Sequence, residues 1–298
     1  MNILITGATG FIGRNLLRSF ESNSIYKDYE IILLTSKEIV GYKCVIHNDY
    51  TFSKEDFNKI GINKIDIVIH LGAFTPKDSL NANRVKESIA NIVNTEYLLE
   101  NLPAIPKKII YTSTIDVYGT VTGLITEEVL TLPNSLYGQS KLFTERMLEI
   151  WAKENNVILQ ILRIGHIYGE GEEAYKKILP ITINMVLQNK SPIIYTNGKE
   201  KRSFLYINDC CNMLIRSIDL DEYVGPINVA SNRSISMLEL VNLVIKVSGK
   251  IIKPTVKNEN IDTKDFIFNN DKMVKYLGEE HTSLKEGIIK EYEYFQNK

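Results

Sequence analysis

The chain of 298 residues is 44% hydrophobic and 24% charged with a formal net charge of −1, an ordinary globular composition that gives no overall electrostatic reason to expect a nucleic acid or an anionic membrane as partner. Three cysteines, two of them the adjacent Cys210 and Cys211, make neither a disulfide framework nor a Cys-x-x-Cys knuckle, so a reducing cytoplasm is the expected setting. The start, Met1-Asn2-Ile3-Leu4-Ile5-Thr6, shows no basic leader, no apolar run is long enough to span a bilayer, and four histidines at no ligand spacing argue against a metal.

In chain order, the apolar run 2–6 predicts a strand, and the turn Gly7-Ala8-Thr9-Gly10-Phe11-Ile12-Gly13 opens a helix over 10–22. Glycines so placed let a backbone turn tightly, approach a pyrophosphate and pack helix on strand, while the helix start offers free N–H groups and partial positive charge. The spacing is G-x-x-G-x-x-G rather than G-x-G-x-x-G, yet its place directly after a strand points to a dinucleotide. A second strand over 31–35 ends Thr35-Ser36-Lys37, without the acid that usually binds a ribose 2′-hydroxyl. Ser36 and Lys37 suit a 2′-phosphate, which favours NADP(H) over NAD. A third strand over 44–47 ends Asn48-Asp49-Tyr50, where a carboxylate either accepts the adenine amino group or closes a surface turn. The fourth, over 65–71, runs into His70-Leu71-Gly72-Ala73, whose small residues admit a cofactor; His70 itself reads as a packed strand residue.

A helix over 83–101 follows, then a strand over 108–112 that delivers Tyr111-Thr112-Ser113-Thr114-Ile115-Asp116-Val117-Tyr118-Gly119 to the carboxyl edge of the sheet, where such folds bind ligands. Next come a helix over 137–156, with Leu142, Phe143, Met147, Leu148 and Trp151 at helical spacing, and a strand over 159–164. Most of these strands are apolar without alternation, as expected when helices cover both faces. The pattern predicts a doubly wound, Rossmann-type α/β domain over 1–170 with a parallel sheet. Over 171–298 the rhythm loosens into a smaller substrate lobe, partly interleaved with the sheet around 203–230. Its expected parts are helices over 178–189 and 237–249, strands over 203–207 and 227–230, a polar loop over 257–264 and a final surface helix near Ser283-Leu284-Lys285-Glu286-Gly287-Ile288.

Tyr-x-x-x-Lys occurs at Tyr50/Lys54, Tyr137/Lys141, Tyr195/Lys199 and Tyr294/Lys298, so the spacing alone proves little in a chain with 16 tyrosines. Only Tyr137 follows a glycine loop, an Asn-bearing helix and a Thr-rich strand end. A free tyrosine titrates near about 10, so a neighbouring cation is needed to stabilise its phenolate, and Lys141 lies one turn on, on the same face. Beside a nicotinamide, such a tyrosine gives or takes a hydroxyl proton while hydride moves at carbon, with Thr114 bonded to the same oxygen.

The 7–13 loop, Leu71-Gly72-Ala73, Asn91 in Ala90-Asn91-Ile92-Val93-Asn94-Thr95, the 113–119 stretch, Tyr137 to Lys141, Leu162-Arg163 through Ile167-Tyr168-Gly169, and Arg202-Ser203-Phe204-Leu205-Tyr206-Ile207-Asn208-Asp209 occur in this order. Together they resemble the extended short-chain dehydrogenase/reductase family, in its nucleotide-sugar epimerase, dehydratase and reductase branch. The resemblance implies Thr114 as the hydroxyl that orients substrate, Tyr137 as the acid or base, and Lys141 as the residue that lowers the pKa of Tyr137 and holds the nicotinamide ribose. It implies cofactor contacts from Gly7, Thr9, Gly10, Phe11, Ile12 and Gly13, from Thr35, Ser36 and Lys37, and from Asp49 and Tyr50. Further contacts fall to Leu71, Gly72, Ala73, Asn91, Thr112, Ile164 and His166. Arg202 falls where the family contacts the substrate diphosphate, and Thr75, Lys77, His166 and Lys176 stand near the variable lobe that selects the sugar. Family dimers pair the helices corresponding to 83–101 and 137–156 into a four-helix bundle, so a homodimer is expected.

Two departures narrow the reaction. The 4,6-dehydratases carry Thr-Asp-Glu where this chain has Thr114-Ile115-Asp116, and isoleucine cannot donate the proton that expels water. His166 replaces the Asn of many epimerases, which leaves it one hydrogen bond to donate. The leading expectation is an NADP(H)-dependent reductase of a nucleotide-activated keto-deoxyhexose, with Tyr137 as proton donor. The alternative is an NAD-dependent nucleotide-sugar epimerase of the UDP-glucose 4-epimerase kind. A non-catalytic dinucleotide-sensing protein is a third reading, disfavoured by an intact Thr114, Tyr137 and Lys141.

Overall fold

The computed structural model describes residues 1–22, 28–119, 121–259, 261 and 263–298. Among the described residues the strands are β1 (Asn2–Thr6), β2 (Glu30–Thr35), β3 (Lys43–Ile46), β4 (Ile67–His70), β5 (Lys108–Thr114), β6 (Leu124–Ile125), β7 (Ile158–Ile164), β8 (His166–Tyr168), β9 (Ile193–Ile194), β10 (Lys201–Tyr206), β11 (Ile227–Val229), β12 (Ser234–Ser236), β13 (Thr255–Val256) and β14 (Ile267–Phe268). The helices are α1 (Phe11–Ser22), α2 (Lys54–Lys59), α3 (Val85–Asn101), α4 (Leu136–Glu154), α5 (Ile178–Leu187), α6 (Ile207–Arg216), α7 (Met237–Ser248), α8 (Asp271–Leu277) and α9 (Leu284–Gln296).

Seven parallel strands form the main sheet in the order β11-β7-β5-β4-β1-β2-β3. Alternate residues of each strand face opposite sides, and the core divides accordingly. Ile3, Ile5, Leu33, Ile69 and Ile110 pack on one side with Leu16 of α1 and Leu214 of α6. Leu4, Ile32, Val68 and Ile109 pack on the other with Leu98 of α3 and Leu148 of α4. Each such side chain contributes about 1.5–3 kcal/mol by leaving water, which explains why these strands are apolar at consecutive positions.

The chain runs outward from β1 to β3 and returns to β4 on the far side of β1, so strand order reverses between β1 and β4, the place where open parallel sheets hold ligands. Register aligns Thr6 with His70, His70 with Tyr111, and Thr114 with Ile164. The residues just past these pairs therefore meet along one edge. Beyond residue 170 the chain contributes α6, packed on α1, and β11, the outermost strand next to β7.

The six principal strands expected in the first 170 residues are present within a few residues, and β5 runs on to Thr114. Three helices were not expected. α2 has six residues, too few for a period to show, and is fixed by a Ser53/Asp56 capping box; α6 follows β10 without a break, and α8 is a seven-residue turn after Asn270. Of the polar loop expected over 257–264, residues 260 and 262 lie outside the described ones. Among the described residues no helix is long and apolar enough to cross a membrane.

Candidate active site

Gly7 sits at φ 72°, a left-handed conformation that favours glycine, and a Cβ there would come within 2.7 Å of the Gly72 nitrogen. A Cβ at Gly13 would lie 2.3 Å from the Gly7 carbonyl oxygen. Gly10 meets only that oxygen, at 3.2 Å, and otherwise faces open space. Here α1 begins, its first free N–H groups beside a cavity of about 470 Å³ lined by Gly7, Thr9, Gly10, Phe11, Ile12 and Gly13. The cradle fits a dinucleotide pyrophosphate.

Across the strand-order switch, Leu71, Gly72, Ala73 and Thr75 form the opposing wall, held by a buried relay. The Gly72 N–H donates to Thr6 Oγ1 at 2.8 Å, Thr6 Oγ1 bonds His70 Nδ1 at 2.7 Å, and His70 Nε2 bonds Thr95 Oγ1 at 2.9 Å, which donates to the Asn91 carbonyl. With Thr6 and Thr95 so committed, His70 is neutral with its proton on Nε2. Burial, with Lys141 nearby, pushes its pKa down to about 3. His70 is thus a structural strand residue, as expected. Asn91 does not line the cavity. Its side chain accepts from the Phe74 N–H at 2.7 Å and donates to the Phe74 carbonyl and to Ser140 of α4, clamping the wall rather than facing a ligand.

Thr112, Thr114, Tyr137, Lys141, Ile164 and His166 line the same cavity. Ser135 caps α4, its hydroxyl accepting from the Gly138 N–H, and this seats Tyr137 in the first turn, buried. The hydroxyls of Thr114 and Thr75 stand beside the Tyr137 hydroxyl and pull its titration down. Burial is the largest influence on the phenol and raises it, the Asp116 carboxylate raises it further, and the two threonines only partly oppose them. Lys141 stands 4.4 Å from the centre of the Tyr111 ring, and burial brings its ammonium down to about 7, with Glu145 opposing. In this form Tyr137 is a phenol, a proton donor.

A second cavity of about 780 Å³ adjoins the first, sharing Pro76, Asp116, His166, Ile167 and Lys177. Lys77, Lys176 and Arg202 line it. Arg202 donates from Nη1 to the carbonyls of Lys201 and Lys264 and stacks 5.1 Å over the Phe266 ring, which leaves the rest of its fork for the cavity. His166 is not a charged donor. Burial, then Lys177 and Arg202, push its ring down to about 3.

The NAD dependent epimerase/dehydratase family description matches residues 3–230 of this chain. The chain belongs to the NAD-dependent epimerase/dehydratase family. It is an extended short-chain dehydrogenase/reductase, as the motif order implied. It is 32% identical over 273 residues to a dTDP-D-glucose 4,6-dehydratase of Dictyostelium discoideum, which covers 83% of this chain but only 62% of that relative's length. A putative UDP-glucose 4-epimerase of Methanocaldococcus jannaschii is 26% identical over 99% of this chain and 98% of its own. Among solved structures, a UDP-glucuronic acid 4-epimerase from Bacillus cereus in complex with UDP-glucuronic acid and NAD superposes with a TM-score of 0.85, covering 100% of this chain and 99% of that one at 24% identity.

Within this family site, some residues taken from the motifs stand apart from the cavity. Thr35 ends β2, beside Gly7 by register, and Ser36 and Lys37 follow it, both exposed. Asp49 and Tyr50, both at positive φ, form a tight turn between the bridged Asn48 and Thr51. None of the five lines the first cavity. Sequence reasoning chose Lys176 and missed Lys177. The Lys176 side chain is 77% exposed, whereas Lys177 reaches both cavities and pairs with buried Glu172 at 3.0 Å. Ser113 on the cavity wall and Arg163 behind it were named only as parts of motifs, with no role, and Glu145 was missed, although Tyr137, Lys141 and Glu145 recur at four-residue spacing along one helix face.

Proposed function

We propose that this chain is an NAD-dependent nucleotide-sugar 4-epimerase acting on a nucleoside diphosphate hexose. One observation carries the reading: Thr114, Tyr137 and Lys141 line a cavity floor that continues from the glycine cradle, while Ile115 between Thr114 and Asp116 is apolar and buried. The proton and hydride machinery is supplied, and the acid that expels water is not. Relatives named as epimerases that match almost the full chain support the choice over a reductase.

In this reading Gly7, Gly10 and Gly13 hold the pyrophosphate of the cofactor, and Leu71 to Ala73 cover its other face. A bound oxidised nicotinamide would supply the hydride acceptor and a positive charge beside the phenol. Tyr137 takes the C4 hydroxyl proton and later returns it, Thr114 holds the same oxygen, and Lys141 supplies the cation that favours the phenolate. Arg202, Lys77 and Lys176 face the diphosphate end, and Thr75 and His166 the sugar. The division into a nucleotide domain over 1–170 and a substrate lobe over 171–298 follows from this assignment, as does a cytoplasmic setting. A homodimer is part of the proposal. α3 and α4 pack together and present Val85, Ile89 and Phe143, all more than half exposed, around a groove of about 490 Å³, a face suited to a four-helix bundle.

A second reading, an NADP(H)-dependent ketone reductase, is favoured by Tyr137 standing as a phenol and by the acid-free Thr35-Ser36-Lys37. Supplying UDP-hexoses with no added cofactor, and in parallel a nucleotide-activated 4-keto-6-deoxyhexose with NADPH, separates the two. Interconversion at C4 supports the epimerase; strict dependence on added NADPH with consumption of one equivalent supports the reductase.

A further inference from the structure

Behind the reacting edge lies a row of buried charges that the reaction described above does not use. Glu145 stands one helical turn beyond Lys141 on α4, fully buried. From β7, Arg163 donates to it twice, Nε to Oε1 at 3.1 Å and Nη2 to Oε2 at 2.8 Å, and Ser113 Oγ donates to the same carboxylate. Arg163, 2% exposed, spends Nη1 on the Tyr118 hydroxyl at 2.9 Å, which in turn donates to Asn228 Oδ1 at 2.6 Å. Lys141, Glu145 and Arg163 therefore stand as cation, anion, cation in the interior.

The surroundings of Lys141 show why the anion matters. It is faced by neutral His70 from β4, by the Tyr111 ring from β5, and by Tyr137 and Glu145 on its own helix. Glu145 is the carboxylate among these. Glu145 is itself faced by Arg163 from β7, by Ser113 and Tyr111 from β5, by Arg146 on α4 and by Tyr223 from the segment before β11. Burial drives Lys141 towards the neutral amine and Glu145 opposes it. Side chains four apart on a helix lie about 5–6 Å apart at Cβ, and at an effective dielectric near 20 one charge at that range moves a titration by about one pH unit or more.

We propose that Glu145 is a positioning residue that holds Lys141 as an ammonium ion, and that Arg163 sets the strength of that hold by sharing the Glu145 charge. The proposal rests on the reading of Tyr137 and Lys141 as the proton-transfer pair. Glu145 touches neither substrate nor cofactor and acts through Lys141 alone. The two-point bond from Arg163 also fixes α4 against β7, and Ser113 ties the same carboxylate to the residue next to Thr114. One anion thus sets both where Tyr137 meets Thr114 and which charge Lys141 carries.

The test is the pH dependence of kcat/KM in Glu145→Gln, isosteric with the charge removed, and in Arg163→Gln, shorter and uncharged. Losing the anion lowers the titration of Lys141, so Glu145→Gln moves the alkaline limb down by about one pH unit. Losing Arg163 leaves the anion undivided, so Arg163→Gln moves the same limb up. General damage to the fold lowers both curves without driving their limbs apart. Each single variant strands one member of the Glu145–Arg163 pair and risks unfolding; the double variant Glu145→Gln/Arg163→Met removes the pair together, and its limb falls between that of Glu145→Gln and the parent, or simply below the parent if neither single variant folds. Limbs that stay at the parent pH, or move in the same direction, overturn the proposal. Tyr137→Phe separates this failure from the other: if that variant turns over normally, the proton-transfer reading itself falls.

Discussion

Gly13→Ala sets two effects of opposite sign against each other. On propensity alone, alanine in the first turns of α1 stabilises the helix by about 0.5–1 kcal/mol. The structure opposes this, because the new Cβ lies 2.3 Å from the Gly7 carbonyl oxygen and 2.7 Å from Ala8 Cα. Carbon and oxygen in close contact normally sit at about 3.3 Å, so α1 and the loop must separate by about 1 Å. Both colliding atoms are backbone, so no rotamer relieves the clash, and Gly7 cannot retreat because it already lies against Gly72. Overpacking of this kind costs about 1–3 kcal/mol, and the net result is a melting temperature lowered by a few degrees. The cofactor is affected more. A pyrophosphate held by loop N–H groups loses charge-assisted bonds worth about 1.5–3 kcal/mol each, so NAD affinity falls at least tenfold. Thermal unfolding and a fluorescence titration with NAD measure the two effects. Gly249, at φ 67° in open space at the end of α7, is the control: Gly249→Ala loses about 1 kcal/mol of stability with NAD binding unchanged. A Gly13→Ala protein that melts higher and binds NAD like the parent refutes the cradle.

Three further expectations follow from the same geometry. Tyr137→Phe keeps the ring and removes the proton, so turnover falls by roughly 10²-fold or more while the fold, read by circular dichroism, is unchanged. His70 is held with a pKa of about 3 against an ordinary 6.5; between those values the unfolded chain binds a proton that the folded chain does not. Stability therefore falls as pH drops through that window, by up to about 1.4 kcal/mol per pH unit, and His70→Gln flattens the slope in urea unfolding between pH 7.5 and 5, whereas an unaltered slope assigns the loss elsewhere. Phe143→Glu places a charge on the apolar face of α3 and α4, and a parent that sediments as the proposed dimer becomes a monomer; a parent that is already monomeric, or a variant that sediments as a dimeric parent does, contradicts that interface.

The fold was legible because its signal is repeated. Six buried apolar runs, each followed by a helix or a turn, leave a parallel sheet as the arrangement that covers both faces of every strand. The glycine loop and the Tyr137/Lys141 pair were legible for the same reason, since their spacing is local and their place after a strand or at a helix start is visible in one dimension. The rest of the site depends on contacts across the fold. Arg163 and Glu145 are 18 residues apart and meet only when β7 docks on α4. Lys176 and Lys177 are adjacent in sequence, and only the start of α5 decides that Lys177 reaches both cavities. Asn91 was recognised by its motif, but its side chain turns to Phe74 and Ser140, a choice made by the wall it clamps. The pKa of Tyr137 was read from a neighbouring cation alone, when burial and Asp116 outweigh it.

The central claim is an epimerase that carries its own NAD. The decisive measurement is made on protein purified without added nucleotide: acid release and quantification of bound dinucleotide, followed by incubation with UDP-glucose or UDP-glucuronic acid and no other addition. The account predicts close to one NAD per chain and interconversion of one of these substrates with its C4 epimer. Protein that carries no nucleotide, leaves both substrates unchanged and reduces a nucleotide-activated 4-keto-6-deoxyhexose only with added NADPH contradicts it.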